Sequence, residues 1–224
     1  MEIKKVTLVH FSPSGTTRKT ARILSESFGL PVEEANLLRD PSASRSFDPD
    51  ELVIFCLPVY AGRLPESCPK LLRHFVGAGT PALAVTVYGN RDYDDALREL
   101  ADLLREQDFA ASAAEKLRLA SAPAKLGILS VPGNFPYCKP ASVPVHPRTS
   151  KACIQCGTCA SICPTGAIPL ENGRITKREL CISCTACIQA CPVDARSFGG
   201  PVYAIGSKLF AHKCAAPRQP EFFL

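Results

Sequence analysis

The chain has 224 residues, of which 46% are hydrophobic, 21% charged and 7% aromatic, with a formal net charge of +5. That balance suits a globular protein able to bury a core and excludes global disorder, and the length fits one domain of about 130 to 140 residues plus a small module. The longest apolar runs, such as Pro81 to Val87, fall far short of the roughly 20 residues that cross a bilayer, and the amino-terminal run lacks the cleavage site of a secretion signal. A cytoplasmic protein without a transmembrane segment is expected.

Residues 6 to 11 form a β-branched, strand-like run, Ser12 to Gly15 break it, and Thr17 to Phe28 read as a helix with Ala21, Leu24 and Phe28 on one face. A short second strand is expected over Pro31 to Leu37, and Leu52 to Leu57 is a continuous apolar run suited to a strand buried on both faces. Pro65 to Val76 read as helical, Ala82 to Tyr88 as another buried strand, and Asp92 to Gln107 as a helix with Ala96, Leu97, Leu100, Leu103 and Leu104 facing inward. A fifth strand is expected near Ala114 to Leu119 or Leu126 to Ser130. This alternation predicts an α/β fold, a parallel sheet covered by helices on both faces that binds ligands outside the carboxyl ends of its strands. Pro132, Pro136, Pro140, Pro144 and Pro147 then exclude helix and favour an extended, semi-rigid connector. The expected divisions are a first domain over 1–130, a connector over 131–148, a small module over 149–198 and a tail over 199–224 without a clear motif.

Eight of the twelve cysteines lie between Cys153 and Cys191. Cys153, Cys156, Cys159, Cys163 and Pro164 recur as Cys181, Cys184, Cys187, Cys191 and Pro192, a shift of 28 residues. Without a secretion signal, such density points to metal or redox chemistry rather than disulfides. Both runs match the C-x2-C-x2-C-x3-C-P pattern in which three closely spaced thiolates wrap one 4Fe-4S cluster. The alternative is a pair of four-cysteine zinc sites, but zinc sites normally join two separated cysteine pairs, a pattern that these evenly spaced triplets do not follow. Residues 149 to 198 resemble the two-cluster bacterial ferredoxins, in which the fourth ligand of each cluster comes from the other run. The resemblance implies one cluster on Cys153, Cys156, Cys159 and Cys191, and a second on Cys181, Cys184, Cys187 and Cys163.

The loop Ser12-Pro13-Ser14-Gly15-Thr16-Thr17 lies between the first strand and the first helix, where backbone amides and hydroxyls can hold a phosphate. A plain helix cap is the alternative for a Ser/Thr/Gly loop taken alone. Pro58-Val59-Tyr60-Ala61-Gly62-Arg63-Leu64 and Tyr88-Gly89-Asn90-Arg91-Asp92-Tyr93 follow later strands at the same edge, each offering an aromatic side chain and a glycine. Together these loops resemble flavodoxin over roughly residues 3 to 130. That likeness implies a doubly wound sheet of order 2-1-3-4-5 joined to a small α+β two-cluster ferredoxin domain, and FMN as cofactor. It implies that Ser12, Ser14, Gly15, Thr16 and Thr17 bind the phosphate, that Pro58, Val59, Tyr60, Ala61, Gly62, Tyr88, Gly89, Asn90 and Tyr93 flank the ring, and that Gly62 or Gly89 turns a peptide carbonyl toward it.

The whole chain resembles the fused flavodoxin/ferredoxin flavoproteins of anaerobic bacteria and archaea. With two clusters and a flavin phosphate counted, the net charge falls to about −1, so the formal positive charge does not indicate a nucleic-acid partner. A G-x-G-x-x-G fingerprint is absent after every expected strand, the four histidines are isolated, and Cys56, Cys68, Cys138 and Cys214 read as structural or uncommitted thiols. Arg63 and Arg91 read as structural or solvated, with nicotinamide phosphates as the alternative partner. The favoured expectation is an electron carrier that relays electrons between FMN, two 4Fe-4S clusters and soluble redox proteins. The alternative is an FMN-dependent oxidoreductase that reduces a quinone, flavin or nicotinamide, with the clusters as its electron inlet.

Overall fold

The computed structural model describes residues 2–89, 91–112, 132–139, 145–216 and 221. The chain divides into two compact units, one over residues 1–140 with 218–224, the other over 141–217. No helix among the described residues is long and apolar enough to cross a membrane.

The first unit is built on five parallel strands: β1 (Lys5–His10), β2 (Val32–Asn36), β3 (Glu51–Pro58), β4 (Thr80–Val87) and β5 (Phe109–Ser112). Their order is 2-1-3-4-5, with α1 (Thr16–Glu26), α2 (Cys68–Leu72) and α3 (Ala96–Glu106) in the connections. A parallel sheet of this order is the flavodoxin-like doubly wound fold. All eight residues of β3 are buried, which is why its sequence is a continuous apolar run rather than an alternating one. On one face Val6 and Leu8 of β1 pack with Leu52 and Ile54 of β3 and with Ala21 and Leu24 of α1. On the other face Val9, Val53, Phe55 and Leu57 meet Leu72 of α2 and Ala96, Leu100 and Leu104 of α3. Burial of each such Leu or Phe side chain contributes roughly 1.5–3 kcal/mol.

Two expectations are corrected. The helix expected over Pro65 to Val76 is only five residues long, because Phe75 and Val76 leave it to pair with Arg45 and Ser46, where the Phe75 ring stacks on Phe47 at 6.2 Å. The fifth strand begins at Phe109, directly after a reversal at Asp108 with φ of 58°, and it is held there by Phe109 packing edge-on against Phe55 at 5.0 Å. The positions expected for it, 114–119 and 126–130, lie outside the described residues.

Residues 132–139, expected as connector, are stitched to the first unit instead. The amides of Asn134 and Cys138 donate to the buried Asp95 carboxylate at 2.7 and 2.6 Å, and the Tyr137 hydroxyl donates to Asp102 at 2.8 Å. Arg63 donates to the Cys138 carbonyl at 2.7 Å while making a two-pronged ion pair with Glu99, both bonds at 2.8 Å. Its guanidinium also lies 4.6 Å from the Tyr137 ring centre.

The second unit holds a two-residue antiparallel ladder of β6 (Arg148–Thr149) and β7 (Arg196–Ser197), with short helices α4 (Thr158–Ser161) and α5 (Ala186–Gln189). The tail contains α6 (Pro201–Lys213), which starts on a proline and has no buried residue.

Replacing Asp95 with alanine leaves two amides of the 132–139 segment unpaired, and the first unit is expected to lose about 2 kcal/mol of stability. Urea unfolding followed by tyrosine fluorescence measures this, and an unchanged midpoint would show that the segment is not anchored there.

Candidate redox centres

The 28-residue repeat of the sequence is also a repeat of the backbone. Gln155, Gly157 and Gly166 have φ of 56°, 79° and 63°, and their counterparts Ser183, Thr185 and Asp194 have φ of 54°, 68° and 48°. Left-handed residues in tight turns of this kind can direct neighbouring amides toward an anion. Each loop then enters a single helical turn, α4 or α5, closed by matching 2.9 Å bonds from Ala160 to Gly157 and from Ile188 to Thr185. Glycine adopts this conformation freely, whereas Thr185 holds it at a steric cost.

Cys153, Cys156, Cys159 and Cys191 line one cavity, and Cys163, Cys181, Cys184 and Cys187 line a second. In each, three thiols come from one run and the fourth from the other. Among the described residues no three His, Cys, Asp or Glu side chains converge on a single-ion site.

The two cavities differ in their surroundings. Cys156 is exposed and its thiol is held below the ordinary range by the Thr158 hydroxyl, which lies 3.3 Å from the sulfur. Burial instead pushes the Cys184 thiol up to about 12. Arg196 lines the first cavity and is 2% exposed, whereas its repeat counterpart Ile168 lines the second and is 4% exposed. The sequence expectations passed over Arg196, although a charged residue facing an isoleucine across the 28-residue shift was the signal that marked it.

At the carboxyl edge of the sheet, Gly15 takes φ of 85° to start α1, and the Ser12 hydroxyl accepts from the Arg18 amide at 2.9 Å. Ser14, Gly15 and Thr16 are exposed and Thr17 is buried. The amides of Thr16 and Thr17, first in the helix, have no carbonyl one turn earlier to bond. Ser12 therefore caps part of the helix end while the outer edge of the loop faces solvent.

The two later loops meet across the sheet end. Val59 donates to the Val87 carbonyl at 2.9 Å, and Val59 and Tyr88 pack against Tyr93. The rings of Tyr88 and Tyr93 lie 5.6 Å apart, and the Tyr93 hydroxyl donates to Glu221 at 3.0 Å. Tyr93 is buried, so the half-exposed aromatic faces at this edge belong to Tyr60 and Tyr88. Ala61 and Gly62, with φ of 52° and 85°, form the tight turn between Tyr60 and Arg63, and a Cβ on Gly62 would come within 2.4 Å of Asp94. The Gly62 carbonyl accepts from the Asp95 amide at 3.1 Å, so it is already engaged, whereas Gly89 has open space around it. Asn90 lies outside the described residues. Both arginines of these loops are paired, Arg63 with Glu99 and Arg91 with Asp94.

Beside the first loop, His10 is fully buried and its Nε2 lies 2.7 Å from Glu34, which Arg18 and Arg22 also approach. Burial lowers the affinity of His10 for a proton, against the pull of Glu34. The Arg18 hydrogen bond holds the Glu34 carboxyl far below its ordinary 4.5, at about 2.

Residues 152–195 match the family model of the 4Fe-4S dicluster domain, a span that includes all eight cysteines of the array. This segment is a two-cluster iron-sulfur module of the electron-transfer class. No curated protein matches the chain. Among solved structures, a candidate flavoprotein from Bacteroides uniformis ATCC 8492 shares 14% identity with a TM-score of 0.36, over 49% of this chain and 88% of that one. The likeness is loose, and the flavodoxin-like fold of the first unit stands on its own strand order.

Because the folded Glu34 pKa lies below the unfolded one, the stability it confers is complete above pH 4.5 and is lost as pH falls toward about 2. The difference in urea midpoint between the wild type and Glu34→Gln is expected to shrink over that window. Acid loss of iron is common to both chains, so a difference that stays constant would refute the assignment.

Proposed function

We propose that the chain is an electron carrier in which FMN at the carboxyl edge of the sheet exchanges electrons with two 4Fe-4S clusters, and through them with soluble redox proteins. The observation that carries this reading is the partition of eight cysteines into two four-thiol cavities, in one chain with a flavodoxin-like sheet. Bound flavin supplies transfer of one or two electrons and each cluster supplies transfer of one, so a carrier holding both can split or join electron pairs.

The residues of the chain set the conditions for that chemistry. Cys153, Cys156, Cys159 and Cys191 would hold one cluster, and Cys181, Cys184, Cys187 and Cys163 the other, with amides of the left-handed loops offsetting the negative charge. The loop Ser12 to Thr17 would take the phosphate on the amides and hydroxyls at the start of α1, beside the boundary between β1 and β3 where strand order reverses. Tyr60 and Tyr88 would bound the ring, and Val59, Ala61, Gly62 and Gly89 would let the backbone approach its polar edge.

Anaerobic purification followed by metal and flavin analysis tests this reading. About eight irons and one FMN per chain are expected, and Cys159→Ser is expected to damage one cluster while sparing the other, seen as roughly half the EPR signal. Two zincs per chain in place of iron would refute the redox reading, and both clusters intact in Cys159→Ser would refute the ligand partition.

A further inference from the structure

We propose that two threonines tune the clusters one at a time. The Thr158 hydroxyl raises the reduction potential of the cluster held by Cys153, Cys156, Cys159 and Cys191, and the Thr165 hydroxyl raises that of the cluster held by Cys163, Cys181, Cys184 and Cys187. The inference rests on the ligand partition given under the proposed function, and it concerns two residues outside that partition.

The 28-residue repeat isolates these hydroxyls. Each threonine sits two residues after a cysteine, with Thr158 Oγ1 lying 3.3 Å from the sulfur of Cys156 and Thr165 Oγ1 lying 3.7 Å from that of Cys163. Each also lines the cavity of the thiol it meets. In the other copy of the repeat Thr158 is matched by Ala186 and Thr165 by Val193, so neither hydroxyl has a counterpart. The main chain, by contrast, is shared: the amides of Thr158 and Ala186 hydrogen-bond the thiols two residues earlier, Cys156 and Cys184. The hydroxyl is therefore what the first copy adds at that place. Arg196 hydrogen-bonds Cys187, a different thiol, and does not enter this comparison.

The direction of the effect follows from which atom donates. Thiol and hydroxyl can each donate to the other, but a cluster-bound sulfur carries no proton and only accepts, so the threonine must donate. A cluster with its four thiolates carries about −2 when oxidised and about −3 when reduced. Hydrogen bonds strengthen as the acceptor gains negative charge, so the hydroxyl holds the reduced form more tightly and the potential rises. A hydroxyl has no net charge, so its field falls off faster than that of an ion and stays with its own cluster. The shorter contact makes Thr158 the stronger of the two.

The test is an EPR-monitored redox titration of the holo chain, with the wave of the first cluster identified as the one lost in Cys159→Ser. Thr158→Ala and Thr165→Val each install the residue that the other copy of the repeat carries. In Thr158→Ala the reduced-to-oxidised ratio of the first cluster at its wild-type midpoint is expected to fall roughly threefold, about 28 mV at 59 mV per tenfold for a one-electron couple. The second wave stays in place. In Thr165→Val the second wave falls by less than that, and the first stays. Thr158→Ser and Thr165→Ser keep the hydroxyl and are expected to recover most of each shift. The proposal is overturned if either variant leaves its own wave in place, if either moves both waves equally, or if the serine variants behave like those without a hydroxyl. Should one variant fail to hold its cluster, the other decides the matter by itself. Iron content separates the two levels of inference: about eight irons per chain with unmoved waves sink only the role of the threonines, whereas wild-type iron far below that sinks the cluster reading and this inference with it.

Discussion

Three thiols three residues apart can point at one centre only if the chain curls tightly between them, and that curl requires left-handed backbone at fixed places. Gln155 and Gly157 supply it in the first run, Ser183 and Thr185 in the second. Everything else in the second unit follows from this constraint. The single-turn helices α4 and α5 begin where the curl ends, the fourth cysteine of each run is carried away by its helix, and the two runs become mutually dependent because each contributes a thiol to the cavity of the other. The unit needs little apolar core of its own: its buried cluster is small and includes two of the cysteines. Small domains with so few buried side chains commonly draw folding energy from bound metal.

The first unit is organised by a different logic, in which apolar burial comes first and the polar edge is what remains. β3 is buried along its whole length and fixes the two faces of the sheet, after which the loops after β1, β3 and β4 emerge at one edge. Asp95 and Glu99, near the start of α3, then tie that edge together. Asp95 holds the Gly62 carbonyl through its amide and the 132–139 segment through its carboxylate, while Glu99 holds Arg63 and the Leu64 amide. The Asp95 amide and the Glu99 carboxylate thus set the position of the loop after β3.

Much of this was legible in the sequence wherever period or spacing carried the information. Apolar runs marked β1, β3 and β4, a short β2 was expected over residues 31–37, and the cysteine spacing marked the second unit outright. The features that escaped are those where one long-range contact overrides local preference. Phe75 and Val76 read as helix, yet pairing with Arg45 and Ser46 draws them into a ladder. β5 is four residues long and depends on Phe109 meeting Phe47 and Phe55, contacts no local pattern discloses. The prolines of 132–139 correctly excluded helix, but proline content says nothing of Asp95, to which the neighbouring amides bind. At the sheet edge, the glycine and aromatic content of the loops was visible, whereas the burial of Tyr93 and the prior engagement of the Gly62 carbonyl were not.

The burial of Cys56 and Cys68 bears on how the protein acquires its metal. Iron arriving at a newly made chain meets twelve thiols, and a thiol competes for iron as its thiolate. Burial pushes the Cys56 thiol up to about 12 and raises that of Cys68 as well, while burial and the nearby Asp95 carboxylate raise that of Cys138. Once the sheet has formed, Cys56 and Cys68 are buried, and all three thiols give up a proton less readily. A first unit that folds before iron arrives would hide Cys56 and Cys68 and leave the curled loops of the second as the better destination.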